Sequence, residues 1–245
     1  MTSSNLILGA GNVGQALNYN FVDCKVLDKD SPDFEGKVKF MHIAFPYSKT
    51  YVQDVLGYIK KYNPEIVIIH STVKLNTTRK IQDKVKTPIV YSPIVGQHNK
   101  LSESISIFDK LIGYIHPNLR YAQDVARYFK ENGLNPVIKK DPETLELAKL
   151  LSTTRYALHI SFAQEQERIC KRHGLDYADV VLDFEKMFNE GTLRSGQVEL
   201  VRPFVFPGVI GGHCLMPNLR ILKMLYNSEF LDLIGKSNDA RKKEI

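Results

Sequence analysis

The stretch LILGAGNVGQAL, residues 6–17, constrains the fold of this chain more than any other segment. A short apolar run enters glycines at 9, 11 and 14, and an amphipathic stretch follows. That is the G-x-G-x-x-G spacing placed where a strand turns into a helix. In such a turn Gly9 makes the tight bend and Gly11 lets the backbone approach a pyrophosphate, while Gly14 lets the helix lie close to the sheet. The helix N-terminus, with Asn12 and Val13 in its first turn, offers N–H groups and partial positive charge to phosphates. Asp28 closes the next apolar run in KVLDKD, where a carboxylate accepts ribose hydroxyls and repels a 2′-phosphate. The expected cofactor is therefore NAD, held by Gly9, Gly11, Asn12, Val13, Gly14 and Asp28.

The next hundred residues repeat the alternation. Apolar runs suited to strands fall at 5–8, 25–28, 39–45, 66–70, 89–91, 111–115 and 136–138. Amphipathic stretches suited to helices lie between them at 13–21, 51–61, 77–83 and 119–131. Short strands separated by helices predict βαβ units and a mainly parallel sheet. The fold class expected is α/β: a Rossmann-type NAD-binding domain over residues 1–140, then a long helix and a small all-α domain.

The pattern changes at Asp141. DPETLELAKLLSTTRYALHISFAQEQERICKRHG opens with a capping Asp141, has Pro142 at the first helical position, and meets no further Pro or Gly until Gly174. A helix of about 32 residues is roughly 48 Å long, more than a small domain needs. Such a helix links domains or packs against its own copy, so a homodimer through residues 142–173 is expected. DYADVVLDFEKMF predicts another helix, VRPFVFPGVIGGHC a loop, and residues from Asn218 to about Ile234 a last helix. Residues 141–235 thus form the expected helical central domain with its cysteine loop, and 236–245 a basic, solvated tail.

Composition narrows the function. The formal charge is +6, but the basic residues are spread along the chain and no zinc-finger, RNP or helix-turn-helix pattern accompanies them, so nucleic acid is not the expected partner. No apolar run approaches the roughly 18 residues of a membrane span. The N-terminus lacks the basic region of a signal peptide. Three widely spaced cysteines without a CxxC predict reduced thiols and a cytoplasmic setting. Cys170, His173, His213 and Cys214 have the chemistry of zinc ligands, but His173 sits where a cation complements a helix C-terminus, and no metal site is expected. A GxSxG hydrolase elbow is absent from the sequence.

Five motifs in order then carry a resemblance over nearly the whole chain. GAGNVG with VLD, HSTVKLNTTRKI, YSPIV, ELAKLLSTTRYALHISFAQE and PGVIGGHC resemble the successive signatures of the UDP-glucose/UDP-N-acetylmannosamine 6-dehydrogenase family. The resemblance implies a nucleotide-sugar substrate whose primary alcohol is oxidised twice by NAD. A cysteine traps the intermediate aldehyde as a thiohemiacetal, and the resulting thioester is hydrolysed. By position Cys214 matches that nucleophile. Lys149 matches the helix lysine that stabilises developing negative charge on the substrate oxygen. Thr72 matches the threonine beside the nicotinamide and so joins both the catalytic and the cofactor-binding set.

The departures are as specific as the matches. The family's aspartate four residues after the cysteine is Asn218, its SPE glutamate is Ile94, and its helix asparagine is Thr153; a further acid found in some branches is His98. An amide cannot accept a proton at neutral pH. General acid–base assistance contributes about 10²–10⁴-fold, so the hydrolytic step is expected to suffer most unless His98 or His213 replaces the missing base. The resemblance also implies a third, UDP-binding domain into which this sequence does not extend. Three readings stand: an NAD-dependent oxidoreductase, a catalytically impaired NAD-binding or assembly protein on the same scaffold, and a two-domain reductase of small hydroxy acids. Thr153 counts against the third.

Overall fold

The computed structural model describes residues 4–96, 100–139, 141–212 and 214–245. By its internal contacts the chain divides into two compact units, residues 1–149 and 150–245.

The first unit is built on a seven-stranded sheet. Its strands are β1 (Ser4–Leu8), β2 (Cys24–Leu27), β3 (Val38–Ile43), β4 (Ile66–Ile69), β5 (Ile89–Tyr91), β6 (Lys110–Tyr114) and β7 (Pro136–Lys139). They lie in the order β2-β1-β3-β4-β5-β6-β7. Every neighbouring pair is parallel except β5 and β6, which run antiparallel with Tyr91 opposite Gly113. Residues alternate between faces along a strand. Accordingly Ile66 and Ile68 of β4 enter one core, with Phe21, Phe40, Val125 and Phe129. Val67 and Ile69 enter the other, with Met41, Tyr51, Val55 and Ile81. Each such side chain contributes about 1.5–3 kcal/mol on burial, and a sheet covered on both faces requires this unbroken run of aliphatics.

The covering helices are α1 (Asn12–Asn20), α2 (Tyr51–Tyr62), α3 (Thr77–Gln82), α4 (Leu101–Ile107) and α5 (Leu119–Glu131). The helix α4 was not foreseen in the sequence; its stretch LSESISI is short and contributes the buried Ser104 and Ile105. The long helix α6 runs from Pro142 to Arg172. Its start packs on the sheet so closely that a Cβ on Gly113 of β6 would lie 2.8 Å from the Cα of Pro142.

The second unit contains the rest of α6, then α7 (Asp183–Arg194), α8 (Leu215–Lys223) and α9 (Glu229–Glu244), with no strand among its described residues. Ala157, Ile210, Leu219 and Ile234 form its small apolar core. The C-terminal segment differs from the sequence expectation in two ways. The single last helix is two helices, separated at the turn after Met224. Residues 236–244, expected as a solvated tail, continue α9. Ile234, Asn238 and Arg241 fall on one face of that helix and are buried. Arg241 pairs with Glu167 at 2.6 Å, so the charge that suggested a tail is partnered inside the unit. No described helix is long and apolar enough to cross a membrane.

Candidate functional site

The glycine turn follows β1 and opens α1, with Gly11 at the N-cap position. The three glycines have separate reasons. Gly9 has φ +109°, and a Cβ there would lie 2.8 Å from the Phe45 backbone nitrogen. A Cβ on Gly14 would stand 1.8 Å from the Gly9 carbonyl oxygen. Gly9 and Gly14 are therefore demanded by the fold. Gly11 is not: its φ is −71° and no protein atom lies within 4 Å of where its Cβ would be. The space above Gly11 is open on the side where Asn12 and Val13 begin the helix.

A cavity adjoins this turn. Gly9, Asp28 and Lys29 line one side, and Phe45, Asp54, Tyr58 and Tyr62 line another. Asp28 directly follows β2 and is exposed, with Oδ1 accepting from the Lys29 amide at 2.9 Å. The Asp28 amide donates to Ser31 Oγ at 2.8 Å, which fixes the bend. The Tyr58 and Tyr62 rings lie nearly parallel, 6.2 Å apart.

Thr72 lies half-buried just beyond β4. The neighbouring Ser71 hydroxyl donates to the Phe45 carbonyl at 2.6 Å, tying this segment to the end of the β3 strand. Glu146, which sequence reasoning passed over, ties the same segment to α6. Its carboxylate accepts from the Asn76 and Thr78 amides at 2.6 and 2.8 Å and from the Thr78 hydroxyl at 2.7 Å. It thereby caps α3 from another helix. Burial pushes the Glu146 carboxyl up, against the Thr78 and Asn76 hydrogen bonds that draw it down. Lys149 stands about one turn further along α6 than Glu146. The only sequence signal for this was an acid three residues before the lysine.

Cys214 belongs to the second unit, where it is half-buried at the N-cap of α8. Gly212, with φ +78°, provides the bend before it. The loop is anchored from two helices. Gln164 of α6 donates to the Gly208 carbonyl at 2.7 Å, and Asn238 of α9 accepts from the Ile210 amide at 2.6 Å. His98 and His213, considered as replacement bases, lie outside the described residues. Cys170 is buried, and among the described residues no three His, Cys, Asp or Glu side chains gather as metal ligands.

Fold and glycine turn together define a dinucleotide-binding α/β protein of the dehydrogenase type. Residues 143–239 match the central domain of the UDP-glucose/GDP-mannose dehydrogenase family, and the chain is similar in sequence to nucleotide-sugar 6-dehydrogenases. It is 24% identical to a UDP-N-acetyl-D-mannosamine dehydrogenase of Methanococcus maripaludis over 95% of this chain and 52% of that protein. It is 28% identical to a UDP-glucose 6-dehydrogenase of Campylobacter jejuni over 79% of this chain and 49% of that one. The chain thus spans about half the length of the curated relatives it matches. Among solved structures, the UDP-N-acetylmannosamine dehydrogenase of Pyrococcus horikoshii superposes with a TM-score of 0.74 at 15% identity, over 98% of this chain and 68% of that one. The 3-hydroxyisobutyrate dehydrogenase of Mycobacterium tuberculosis superposes with 0.67 at 14% identity, over 100% and 94%. These superpositions establish the α/β dehydrogenase fold.

Proposed function

We propose that the protein is an NAD-dependent oxidoreductase acting on a CH–OH group, with a nucleotide sugar as the substrate class. The observation that carries this reading is Gly11, a glycine that the fold does not need, at a helix N-terminus between β1 and the Asp28 cavity. Open space at Gly11, in the turn between β1 and α1, leaves its backbone accessible to a pyrophosphate. The Gly11, Asn12, Val13 and Gly14 backbone would hold the pyrophosphate, and Asp28 the ribose. Bound there, NAD supplies the hydride acceptor. Lys149 stabilises negative charge on the substrate oxygen, Thr72 lines the nicotinamide side, and the Cys214 thiol adds to the aldehyde.

The sequence relatives support the nucleotide-sugar assignment, since the matched proteins are named for UDP-sugars. The three free cysteines among the described residues suit a cytoplasmic location. A homodimer through residues 142–173 would cover Tyr156 and Phe162, exposed on α6. The second reading, an NAD-binding protein impaired in catalysis, is favoured by one feature: Asn218 and Thr153 stand where the relatives' pattern has a carboxylate and an amide. Turnover separates the two. With NAD and either UDP-glucose or UDP-N-acetylmannosamine, an enzyme forms NADH and Cys214→Ala stops before the acid. An impaired protein forms none, yet still binds NADH.

A further inference from the structure

A buried lysine lies under the end of the sheet, and the proposed reaction does not use it. Lys110 opens β6 and is only 2% exposed. Because β6 runs antiparallel to β5, Lys110 reaches past the end of β5 to the Ser92–Pro93 turn. Its Nζ lies 2.8 Å from the Ser92 carbonyl oxygen, 2.7 Å from Ser92 Oγ and 3.2 Å from the Pro93 carbonyl oxygen. His70 Nδ1 is also 3.2 Å away and itself sits 2.7 Å from the Ser92 carbonyl. The Phe129 ring of α5 closes the site, with its centroid 5.4 Å from the nitrogen.

The polar groups around it are ordered into one chain of hydrogen bonds. Two groups at 2.7 Å need a proton between them, so His70 Nδ1–H donates to Ser92. His70 Nε2 then accepts from His42 Nδ1 at 2.9 Å, and His42 Nε2 accepts from the Tyr128 hydroxyl at 3.3 Å. Tyr128 in turn meets Cys24 Sγ at 3.5 Å. Every polar member has a partner, and both imidazoles stay neutral. The charged group facing Lys110 from α6 is Lys149, whose like charge adds to burial in lowering the Lys110 pKa well below its usual value.

The two turns so joined are the ones that leave the sheet toward the proposed cofactor. His70 immediately precedes Ser71 and Thr72, and the Ser92 amide donates to the Ile69 carbonyl at 2.8 Å. Ser92–Pro93 precedes Ile94, the position of the relatives' glutamate. We propose that Lys110 is a positioning residue: its ammonium, acting with His70, locks the 92–94 turn against the 70–72 turn and so fixes the edge on which the nicotinamide end of the cofactor rests. Charge-assisted hydrogen bonds are roughly twice as strong as neutral ones, so the lock holds while Lys110 is protonated and loosens when it is not. This inference rests on the cofactor reading above for its purpose, though not for its geometry.

The test is Lys110→Met, which keeps the length and burial and removes the charge; replacing a buried ion by an apolar group of similar size is often neutral for stability. Two readings are taken as pH is raised from the acid side of neutral to alkaline. Amide NMR signals of residues 71–73 and 92–94 in the native protein are expected to shift together at one midpoint below the usual lysine range, absent in Lys110→Met. NADH affinity is expected to fall about tenfold in Lys110→Met, and in the native protein only above that midpoint. Ser92→Ala, which removes one acceptor, is expected to lower the midpoint and serves if Lys110→Met fails to fold. Turn amides that ignore the Lys110 titration, or native-like NADH binding by Lys110→Met at every pH, would overturn the proposal. If the native protein binds no NADH, the cofactor reading fails, and the amide signals alone decide whether Lys110 locks the turns.

Discussion

Asn218 Nδ2 donates to Thr153 Oγ1 at 3.3 Å, and both residues are buried. These are two of the positions at which the chain departs from the nucleotide-sugar dehydrogenase pattern, and here they satisfy one another. Thr153 also donates to the Leu150 carbonyl at 3.0 Å, so the pair is integrated into α6 rather than left as a remnant. Asn218→Asp combined with Thr153→Asn puts an ionisable group back one turn after Cys214. If proton transfer is what limits the proposed hydrolysis, the double variant forms the acid product faster, within the 10²–10⁴ range typical of a general base. An unchanged rate of NADH formation from NAD and a UDP-sugar would show that these two positions do not limit it.

Acid should destabilise the first unit early. Burial, and secondarily the Lys110 charge, pushes the His42 pKa down to about 3 from 6.5 and lowers His70 likewise. Below pH about 6.5 the unfolded chain therefore binds protons that the folded chain refuses, and stability present above that pH is lost as pH falls. Each histidine contributes a slope of up to about 1.4 kcal/mol per pH unit. Urea unfolding between pH 8 and 5 should show the combined slope, and His42→Phe should remove about half of it.

Removal of the Glu146 carboxylate should release the 71–78 segment. Its three acceptor contacts satisfy the start of α3, and each buried donor left without one costs about 1–3 kcal/mol. Glu146→Ala is expected to lower stability by about 3 kcal/mol in denaturant unfolding, and Glu146→Gln, which keeps one acceptor oxygen, by less. Equal losses in both would mean that the carboxylate charge, rather than hydrogen-bond acceptance, holds the cap.

Truncation after residue 235 should disorder the cysteine loop. It deletes Asn238, which holds the Ile210 amide, and Arg241, whose buried guanidinium pairs with Glu167. Alkylation of Cys214 in the truncated chain should lose any dependence on folding conditions, whereas a removable tail would leave both alkylation and thermal midpoint as they are in the full chain.

The parts of this structure legible in sequence are those governed by local pattern. The strands from β1 to β7 announce themselves as aliphatic runs because a two-sided sheet needs them, and α6 as a long Pro- and Gly-free stretch behind a capping Asp141. Gly9, Gly11 and Gly14 were legible as a spacing, although only the structure separates Gly11 from the other two. What stayed hidden depends on contacts distant in sequence. Lys110 looks like a surface residue until the antiparallel β6 brings it past the end of β5 to His70 and Ser92. KSNDARKKEI resembles a tail by charge; the spacing Ile234, Asn238, Arg241, one helical face, was the available sign that it is not. Glu146 was hidden because its partner is the start of a different helix.

The central claim, that Gly11 is bare for a cofactor rather than for the fold, is tested by NADH fluorescence titration of the native protein beside Gly11→Ala and Gly14→Ala. The chain has no tryptophan, so cofactor emission is read over little background. The account predicts saturable NADH binding by the native protein. Gly11→Ala should keep the native thermal midpoint but lose NADH, and Gly14→Ala should lose the fold itself through the Gly9 carbonyl clash. Native-like NADH binding by a folded Gly11→Ala, or no binding by the native protein, would contradict it.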